Sequence, residues 1–325
     1  MTIETHILDI NKAQDIQTAK DILLQGGRVA IPTETVYGLG AIATNEDAVK
    51  SVFVAKNRPL DHPLIVHIGN ESQLNYWVDE ISQAARCVMN VCWPGPLTLI
   101  FKKKPQVSSL ISAGLDTVAI RMPGLRSIRD LIADLPHGLV APSANPHKQL
   151  SPTTAEHVKQ GLGGKIEAIL DGGACDVGLE STILDVSGNE LQILRAGPYS
   201  QEQLAQITNM HVAMPMSHSV KVAGNMKAHY QPITPLVLVE SAELEDYIGV
   251  GNSQSYAVLH VDSASASAAK ICFNMPTDRA GYARKLYQTL HQADHSKTDT
   301  IVVEVTPQIK SWPEIMNRLE RASHR

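Results

Sequence analysis

The chain has 325 residues, of which 43% are hydrophobic, and it carries a formal net charge of −5 at neutral pH. Because domains usually contain ~100–200 residues, this length predicts two of them. The negative balance argues against a generally basic nucleic-acid binder, whose footprint is a cationic face. No apolar run reaches the roughly 18–20 residues that span a bilayer, and residues 1–20 lack the apolar core of a signal peptide. We therefore expect a soluble cytoplasmic protein without membrane contact.

In chain order, strand-like and helix-like segments alternate at irregular spacing over the first two hundred residues. Apolar runs predict strands at residues 28–31, 63–68, 97–101, 118–121, 139–141, 166–171, 181–185 and 192–195. Helical patterns cover residues 45–56, 71–91, 127–135 and 153–161. This mixture is typical of an α/β domain with a twisted mixed sheet and flanking helices.

A stretch without periodicity, residues 210–235, separates this domain from a smaller one. A loop of that length is usually either functional or disordered. Beyond it, strands are predicted at residues 235–239, 255–261 and 300–305, and helices at residues 278–292 and 313–322. Their order favours a Rossmann-like α/β domain. The predicted division is a first domain at 1–208, a linker at 209–235 and a C-terminal domain at 236–325.

The sequence predicts no metal site. None of the cysteines, at positions 87, 92, 175 and 272, forms a CxxC pair, so we expect all four to be packing residues. His62 and His67 make a poor metal pair. For His67, two interpretations remain open: a hydrogen-bond donor to a carboxylate, or a satisfied core histidine.

Short polar clusters follow several predicted strands. Arg121 and Arg195 each close a strand, and a buried arginine needs an anionic partner from the protein or from a ligand. Hydroxyl and amide groups stand near other strand ends, where open α/β sheets bind ligands. They belong to Ser143, Asn145, Ser151, Ser181 and Thr182. No GxSxG elbow surrounds these serines, so the clusters indicate one anion-binding pocket rather than a nucleophile.

Lys56 and Arg58 allow two interpretations. Cations suit the C-terminus of a helix, and two cations held by Pro59 could also clamp a triphosphate or pyrophosphate. Two glycine-rich segments, residues 38–43 and 161–165, lack the context of dinucleotide-binding and phosphate-binding loops. We interpret the first as a strand-to-helix turn and the second as a helix stop.

Seven segments, in order along the chain, resemble those of the YrdC-like domain. They are Pro32-Thr33-Glu34-Thr35-Val36-Tyr37-Gly38-Leu39-Gly40, Lys56-x-Arg58-Pro59 with Pro63-Leu64, Trp93-Pro94-Gly95-Pro96-Leu97-Thr98, Ala119-Ile120-Arg121-Met122-Pro123, Pro142-Ser143-Ala144-Asn145, Glu180-Ser181-Thr182-Ile183 and Leu194-Arg195-x-Gly197. Three later segments resemble the linker and C-terminal domain of the long, two-domain threonylcarbamoyl-AMP synthases. They are Met226-Lys227-x-His229-Tyr230, Gly281-Tyr282-Ala283-Arg284 and Asn317-Arg318-Leu319.

The resemblance implies a nucleotidyltransferase, an L-threonylcarbamoyladenylate synthase. Such an enzyme condenses L-threonine, bicarbonate or CO2 and ATP, releases pyrophosphate, and supplies the threonylcarbamoyl-adenosine modification of tRNA. Its implied partner is the downstream tRNA threonylcarbamoyl-transferase machinery, and a weak contact with RNA stays open. Mg2+ accompanying ATP is expected from the chemistry. The reaction first joins threonine to CO2 or bicarbonate as a carbamate and then joins the carbamate to the ATP α-phosphate. Neither of these two steps needs a protein nucleophile, because cations and preorganised donors can hold the carboxylate, carbamate and triphosphate together.

Site residues are implied by matching the family motifs. The residues implied to line the threonine pocket are Thr35, His67, Arg121, Ala141 and Ser181. Those implied to bind the nucleotide are Lys56, Arg58, His62, Thr117, Ser143, Asn145, Ser151, Arg195 and Tyr230, with Lys56 and Arg58 as the catalytic residues. Tyr230 would reach back from the linker to close the site. Ala223-Gly224-Asn225-Met226 departs there from the Ser-Pro-Gly-Met common in the family.

A binding module of another class is the competing interpretation. A YrdC-like domain could bind nucleotide or double-stranded RNA without synthesis. The negative net charge disfavours RNA, and the presence of both the threonine-side and the phosphate-side motifs favours synthesis. Carbamoyl transfer or carbamoyl-phosphate hydrolysis would need a fused acylphosphatase-like or metal-binding segment, which we do not find.

Overall fold

The computed structural model describes residues 3–215, 222, 229–249, 255–261 and 269–324. These residues divide into two compact units. The first comprises the described residues within Met1–His147, Pro152–Asp176 and Glu180–Asn225, and the second those within Lys148–Ser151, Val177–Leu179 and Met226–Arg325. The predicted linker motif at residues 223–228, including its departure from the family pattern, lies outside the described residues.

A mixed sheet of eleven strands forms the first unit. The strands are β1 (His6–Asp9), β2 (Val29–Ile31), β3 (Gly38–Ile42), β4 (Ile65–His67), β5 (Leu97–Lys102), β6 (Thr117–Arg121), β7 (Leu139–Val140), β8 (Ala168–Asp171), β9 (Thr182–Asp185), β10 (Leu191–Arg195) and β11 (Val212–Ala213). Their order across the sheet is β1-β8-β2-β3-β7-β4-β6-β5-β9-β10-β11. Parallel pairs such as β4 with β6 occur beside antiparallel pairs such as β5 with β6, which confirms the predicted mixed sheet.

Most helices of the first unit begin at a polar side chain that caps them. The helices are α1 (Ala13–Leu24), α2 (Glu46–Lys56), α3 (Glu71–Trp77), α4 (Gln83–Cys92), α5 (Ser109–Ser112), α6 (Arg126–Ala133), α7 (Ala155–Leu162) and α8 (Gln201–Thr208). The exceptions, which lack such a cap, are α1 and α6. The side chains of Asn45, Ser82 and Thr154 accept hydrogen bonds from backbone N–H groups in the first turns of α2, α4 and α7. These caps satisfy donors that have no partner inside the helix.

Two predicted elements of the first unit differ from the structure. The single helix predicted over residues 71–91 is two helices, because Val78 is extended and forms a β-bridge with Lys103, and Ser82 caps a new helix. The glycine-rich segment interpreted as a turn contains strand β3. Gly40 allows this close pairing, since a Cβ there would lie 3.0 Å from the carbonyl oxygen of Val29 on β2. The helix stop after residue 161 is confirmed, with Gly163 as the C-cap of α7.

The second unit is built on a parallel sheet of four strands in the order β12-β15-β13-β14. The strands are β12 (Leu236–Glu240), β13 (Tyr256–His260), β14 (Ile271–Asn274) and β15 (Thr300–Val305), and the helices are α9 (Leu244–Gly249), α10 (Arg279–Asp294), α11 (Pro307–Lys310) and α12 (Pro313–Ser323). This arrangement confirms the predicted Rossmann-like domain. Strand β14 was not predicted; it is an edge strand whose half-buried residues alternate with exposed ones.

Both units have apolar cores built from their strands and helices. In the first unit, the apolar residues of β2 to β7 are mostly buried, and in the second unit those of β13 and β15 are. Cys92 and Cys175 are buried and Cys87 is half-buried, but Cys272 is exposed, so the expectation that all four cysteines are packing residues is wrong for Cys272. No helix among the described residues is long and apolar enough to cross a membrane.

Candidate active site

Two of the predicted threonine-pocket residues end neighbouring strands. β4 and β6 are parallel and in register, so that His67 lies opposite Arg121. On the other side of β6, antiparallel β5 places Thr98 opposite Arg121. The apolar residues that precede these polar ones are buried, and strand geometry therefore brings the polar side chains into the edge of the core: His67 is 3% and Arg121 4% exposed.

The Arg121 guanidinium has two partners from one short loop after β2. Its Nη2 forms an ion pair of 2.6 Å with Oε1 of Glu34, and its Nη1 donates to Oγ1 of Thr35 at 2.8 Å. The other carboxylate oxygen of Glu34 accepts from the backbone N–H of Gly124 at 2.9 Å. Arg121 Nε is buried and has no hydrogen-bond partner. One donor of the guanidinium thus remains available to a ligand.

A chain of hydroxyl groups fixes the direction of the hydrogen bonds around Thr35. Thr33 Oγ1 donates its proton to the carbonyl oxygen of Val36 at 2.7 Å. The 2.8 Å contact between Thr33 Oγ1 and Thr35 Oγ1 must then use the proton of Thr35. Thr35 accepts from Arg121 and donates to Thr33, so its hydroxyl has only acceptor capacity left for a ligand.

His67 is a neutral imidazole in this environment. Burial, reinforced by the nearby charge of Arg121, lowers the pKa of His67 to about 3, and the backbone of Ile65 opposes this shift only in part. Its Nδ1 is buried without a hydrogen-bond partner. The ring has the backbone of Ile65 as one hydrogen-bond partner and leaves Nδ1 for a further one, so both interpretations of His67 stay predictions.

A second group of polar side chains surrounds Ser181. Its Oγ lies 2.7 Å from Oγ1 of Thr98 and accepts from Nη2 of Arg195 at 3.0 Å. Arg195 Nε also donates to the carbonyl oxygen of Ser181 at 3.0 Å. Ala141 follows β7, and its N–H donates to the carbonyl oxygen of Ile65 at 3.2 Å, which keeps it beside β4. Thr98 connects this group to Arg121 through the pairing of β5 with β6.

The Lys56 side chain is held by backbone carbonyl groups. It is the last residue of α2, and Asn57 ends the helix in the left-handed conformation. Lys56 Nζ donates to the carbonyl oxygen of Ser143 at 2.5 Å and to that of Asn145. The side chain is 2% exposed, and burial, with a smaller contribution from Arg58, lowers the pKa of Lys56 well below its usual range. The structure thus joins three predicted nucleotide-side residues: Lys56, Ser143 and Asn145.

Of three further predicted nucleotide-side residues in the first unit, Arg58 and His62 lie near Lys56, and Thr117 does not. Arg58 Nη2 donates to the carbonyl oxygen of Pro63 at 3.0 Å, and its guanidinium lies 5.9 Å from the centre of the Phe53 ring. The His62 ring is 5.7 Å from that of His147, and its Nε2 is 3.6 Å from Oδ1 of Asp61. Thr117 opens β6, at the opposite end of the strand from Arg121, and lines a mostly apolar cavity.

Ser151 and Tyr230 belong to the second unit. The carbonyl oxygen of Ser151 is 3.2 Å from Nε2 of His291, which is on α10. Tyr230 is 1% exposed and has a left-handed φ of 60°. The guanidinium of Arg318 lies 5.5 Å from the centre of its ring, and the Tyr287 ring lies 5.8 Å away.

The site contains residues that the sequence analysis did not assign. Glu34, Thr33 and Thr98 all contact predicted pocket residues, and each lies within a segment that carried the family resemblance. A usable signal for Glu34 existed, since a strand-end arginine was expected to need a carboxylate partner. Within the described part of the chain, no group of three or more His, Cys, Asp or Glu side chains is arranged to hold a metal ion.

Family models cover almost the whole chain. One described as "Telomere recombination" matches residues 21–197, and one described as "Threonylcarbamoyl-AMP synthase, C-terminal domain" matches residues 199–324. The threonylcarbamoyl-AMP synthase of Bacillus subtilis is 39% identical, covering 98% of this chain and 95% of that protein. The one of Pyrococcus abyssi is 35% identical, covering 99% of this chain and 98% of that protein.

The fold of this chain is also similar to that of solved structures. The crystal structure of P. abyssi Sua5 complexed with L-threonine has a TM-score of 0.89 and 33% identity, and covers 98% of both chains. The structure of E. coli YciO has a TM-score of 0.55 and 20% identity over 62% of this chain and 99% of that one. The latter likeness concerns the fold alone.

Proposed function

Because this chain belongs to the threonylcarbamoyl-AMP synthase family, we propose that it condenses L-threonine, bicarbonate and ATP to threonylcarbamoyl-AMP and releases pyrophosphate. By this reaction the enzyme is a nucleotidyltransferase. One observation carries the proposal: a single unit buries both an arginine beside the Thr35 hydroxyl group, which has only acceptor capacity left, and a lysine short of negative charge. The first suits an amino acid, and the second suits a polyphosphate.

On the threonine side, the pocket residues are Thr35, His67, Arg121, Ala141 and Ser181. Arg121 Nε supplies a donor for the threonine carboxylate, and charge-assisted hydrogen bonds of this kind are the strong ones. Thr35 Oγ1 has acceptor capacity for a donor group of the amino acid. His67 is neutral near pH 7, so it adds no positive charge that would repel the ammonium group.

On the nucleotide side, Lys56, Arg58, His62, Thr117, Ser143, Asn145, Ser151, Arg195 and Tyr230 are assigned to ATP. The depressed pKa of Lys56 reflects an ammonium group that has lost its water and has carbonyl oxygens as its hydrogen-bond partners. An incoming triphosphate would supply negative charge and favour the protonated form. This makes Lys56, with Arg58, the candidate for stabilising charge on the transferring phosphoryl group.

The proposed chemistry has two steps. The threonine amine first adds to the carbon of CO2 and loses a proton to give a carbamate; with bicarbonate as the carbon source, a molecule of water leaves instead. A carbamate oxygen then attacks the α-phosphorus of ATP, and the bond between that phosphorus and the pyrophosphate oxygen breaks. The protein contributes position and charge rather than a nucleophile. Mg2+ bound to the ATP phosphates is proposed as the cofactor, since phosphoryl transfer normally uses it.

The product is an activated carbamoyl donor, and we assign its use to the threonylcarbamoyl modification of tRNA by downstream transferase machinery. The deciding experiment measures pyrophosphate release from ATP with Mg2+ and bicarbonate, with and without L-threonine. Strict dependence on L-threonine is expected. Release that ignores threonine, or no release together with nucleotide or RNA binding, would overturn the proposal in favour of a binding module.

Arg58→Ala tests the same proposal at one residue. The variant should keep the fold, because Arg58 is only partly buried, and should lose most pyrophosphate release. The matched control is Arg86→Ala, which removes an exposed arginine of the same unit. Turnover near that of the wild type in Arg58→Ala would refute the role assigned to this residue.

A further inference from the structure

Glu34 is the one carboxylate bonded to the Arg121 guanidinium among the described residues, and none of the functions assigned so far includes it. The side chains of the pair are 5% and 14% exposed, and the ion pair is 2.6 Å long. Oε1 of Glu34 bonds to Arg121 and Oε2 to the N–H of Gly124. Both oxygens are therefore anchored, and the carboxylate is held in place.

The backbone at Gly124 lies close to the Glu34 carboxylate and leaves little room for a side chain. A Cβ on Gly124 would lie 3.2 Å from Cδ of Glu34 and 3.4 Å from each carboxylate oxygen. On the other side, Thr33 and Thr35 flank Glu34 in sequence and are tied together by their hydroxyl groups. The position of Glu34 is thus determined from both sides.

Three titratable side chains close to the pair, those of His67, Cys175 and Tyr199, carry no charge near pH 7. Burial, followed by Arg121, lowers the pKa of His67 to about 3. Burial, with Glu34 among the smaller causes, raises the pKa of Cys175 to about 12 and that of Tyr199 to about 12. Within this group of five side chains, the positive charge of Arg121 is balanced by the negative charge of Glu34, and the sum is zero.

A neutral charge pair and a lone arginine prefer different ligands. A lone buried guanidinium attracts any small anion, because the anion relieves an uncompensated charge. A guanidinium with its own carboxylate gains less from an added anion. A zwitterionic amino acid brings one charge of each sign, so it matches a neutral pair better than a simple carboxylate does.

We propose that Glu34 is a specificity-determining residue, which makes the threonine pocket select a zwitterionic amino acid over a carboxylate that lacks the ammonium group. The inference rests on the proposed function, because it assumes that L-threonine binds at Arg121. Glu34 acts through charge and through the position of Arg121, and it takes no part in bond making.

The test compares two ligands by isothermal titration calorimetry on the full chain. One ligand is L-threonine, and the other is its α-hydroxy analogue, in which a hydroxyl group replaces the α-ammonium group. The wild type should bind L-threonine more tightly. In Glu34→Gln, the ratio of the two affinities should shift toward the analogue by about tenfold, which corresponds to about 1.4 kcal/mol. A ratio equal to that of the wild type would overturn the proposal, since a structural defect weakens both ligands alike.

Two variants act as controls. Glu167→Gln removes the carboxylate of another ion pair of 2.6 Å in the same unit, with Arg28, and should leave the ratio unchanged. The double variant Glu34→Gln, Arg121→Gln removes both charges and leaves none uncompensated. It should bind both ligands more weakly but return the ratio to within about threefold of the wild type. A ratio that stays shifted in the double variant would contradict a role of net charge.

If Glu34→Gln alone does not fold, the wild-type ratio still tests the proposal, because a wild type that binds the α-hydroxy analogue as tightly as L-threonine would overturn it. Failure of the proposed function would look different from failure of this inference. If the wild type does not bind L-threonine, the threonine pocket itself is wrong. If the wild type binds L-threonine and Glu34→Gln keeps its ligand ratio, only the role of Glu34 is wrong.

Discussion

Arg121 and Lys56 are both buried cations of the first unit, yet their surroundings differ. Arg121 is neutralised by the Glu34 carboxylate at 2.6 Å. Lys56 is bonded to the carbonyl oxygens of Ser143 and Asn145, which carry dipoles but no full charge. Burial, followed by the charge of Arg58, lowers the pKa of Lys56 in these surroundings. The charge of Arg121 is therefore balanced by a carboxylate of the protein, and that of Lys56 is not.

The difference matches the charges of the two proposed substrates. An amino acid is a zwitterion and needs orientation more than neutralisation. A triphosphate carries several negative charges and is best met by a cation that lacks a competing carboxylate. Under the proposed function, this unequal neutralisation would direct the amino acid to Arg121 and the triphosphate to Lys56.

The largest expected effect is on stability, from the Arg121→Met substitution. It leaves the Glu34 carboxylate buried without its cation, and breaking a buried pair from one side costs about 3–5 kcal/mol. Adding Glu34→Gln to Arg121→Met should recover at least about 2 kcal/mol of this loss. Chemical denaturation of the single and double variants measures it. Losses that simply add up would mean that the two side chains are not coupled, and the comparison with Lys56 would fail.

Lys56→Met should affect activity more than stability. Pyrophosphate release should fall about 10²–10³-fold, which is typical when a donor to developing charge is removed. The free energy of unfolding should stay within about 1 kcal/mol of the wild type, because relief of the desolvated ammonium group offsets the two lost hydrogen bonds. Lys50→Met, on an exposed position of the same helix, is the control and should change neither quantity. Strong destabilisation by Lys56→Met would show that Lys56 is as well compensated as Arg121.

We expect His67 to account for part of the loss of stability at acidic pH. Its pKa is about 3 in the folded protein and 6.5 in an unfolded chain, so between these values the unfolded state binds the extra proton. Stability should therefore fall as the pH is lowered from 6.5 toward 3, by about 2 kcal/mol on reaching about pH 5.

Denaturation of His67→Gln over the same pH range should show a correspondingly flatter profile. His211→Gln, at an exposed position of the same unit, should retain the wild-type slope. If His67→Gln also retains that slope, the imidazole is not held neutral beside Arg121.

The smallest expected effect comes from Thr98→Val. Thr98 is fully buried, and its hydroxyl group is bonded to Ser181 at 2.7 Å, but Ser181 keeps its bond from Arg195. The loss should be about 1 kcal/mol of stability, with less than a threefold change in the KM for threonine. Steady-state kinetics would check this. A tenfold change would mean that the hydroxyl contact transmits position from Ser181 to Arg121, and the threonine pocket would then have to include Thr98.

Much of the fold follows from the local pattern of the sequence. The buried strands β4, β6 and β9 coincide with apolar runs, and the parallel sheet of the C-terminal domain follows from the order of its elements. The failures have identifiable causes. The helical period continues across residues 78–82, where a β-bridge and a serine cap interrupt the helix. β14 is an edge strand without an apolar run, so its sequence carries little strand signal.

The site was only partly predictable for a related reason. Polar residues after apolar strands indicated a pocket, but their partners are distant in sequence. Arg121 is 87 residues from Glu34, and Lys56 is 87 residues from Ser143. No local period links such positions, and only the pairing of strands determines which ones meet. From the sequence alone, the anionic partner expected for Arg121 could have come from the protein or from a ligand.

The sequence by itself showed which chemical groups the protein offers: one cation at the end of α2 and another two residues later, arginines at strand ends, and hydroxyl groups in loops. Side-chain type and the alternation of apolar runs are local properties, so they can be read from the sequence without knowledge of the fold. The charge state of the site was decided by the tertiary structure. Whether a buried cation meets a carboxylate or a carbonyl oxygen, and whether His67 is protonated, depends on burial and on neighbours brought in by the order of strands.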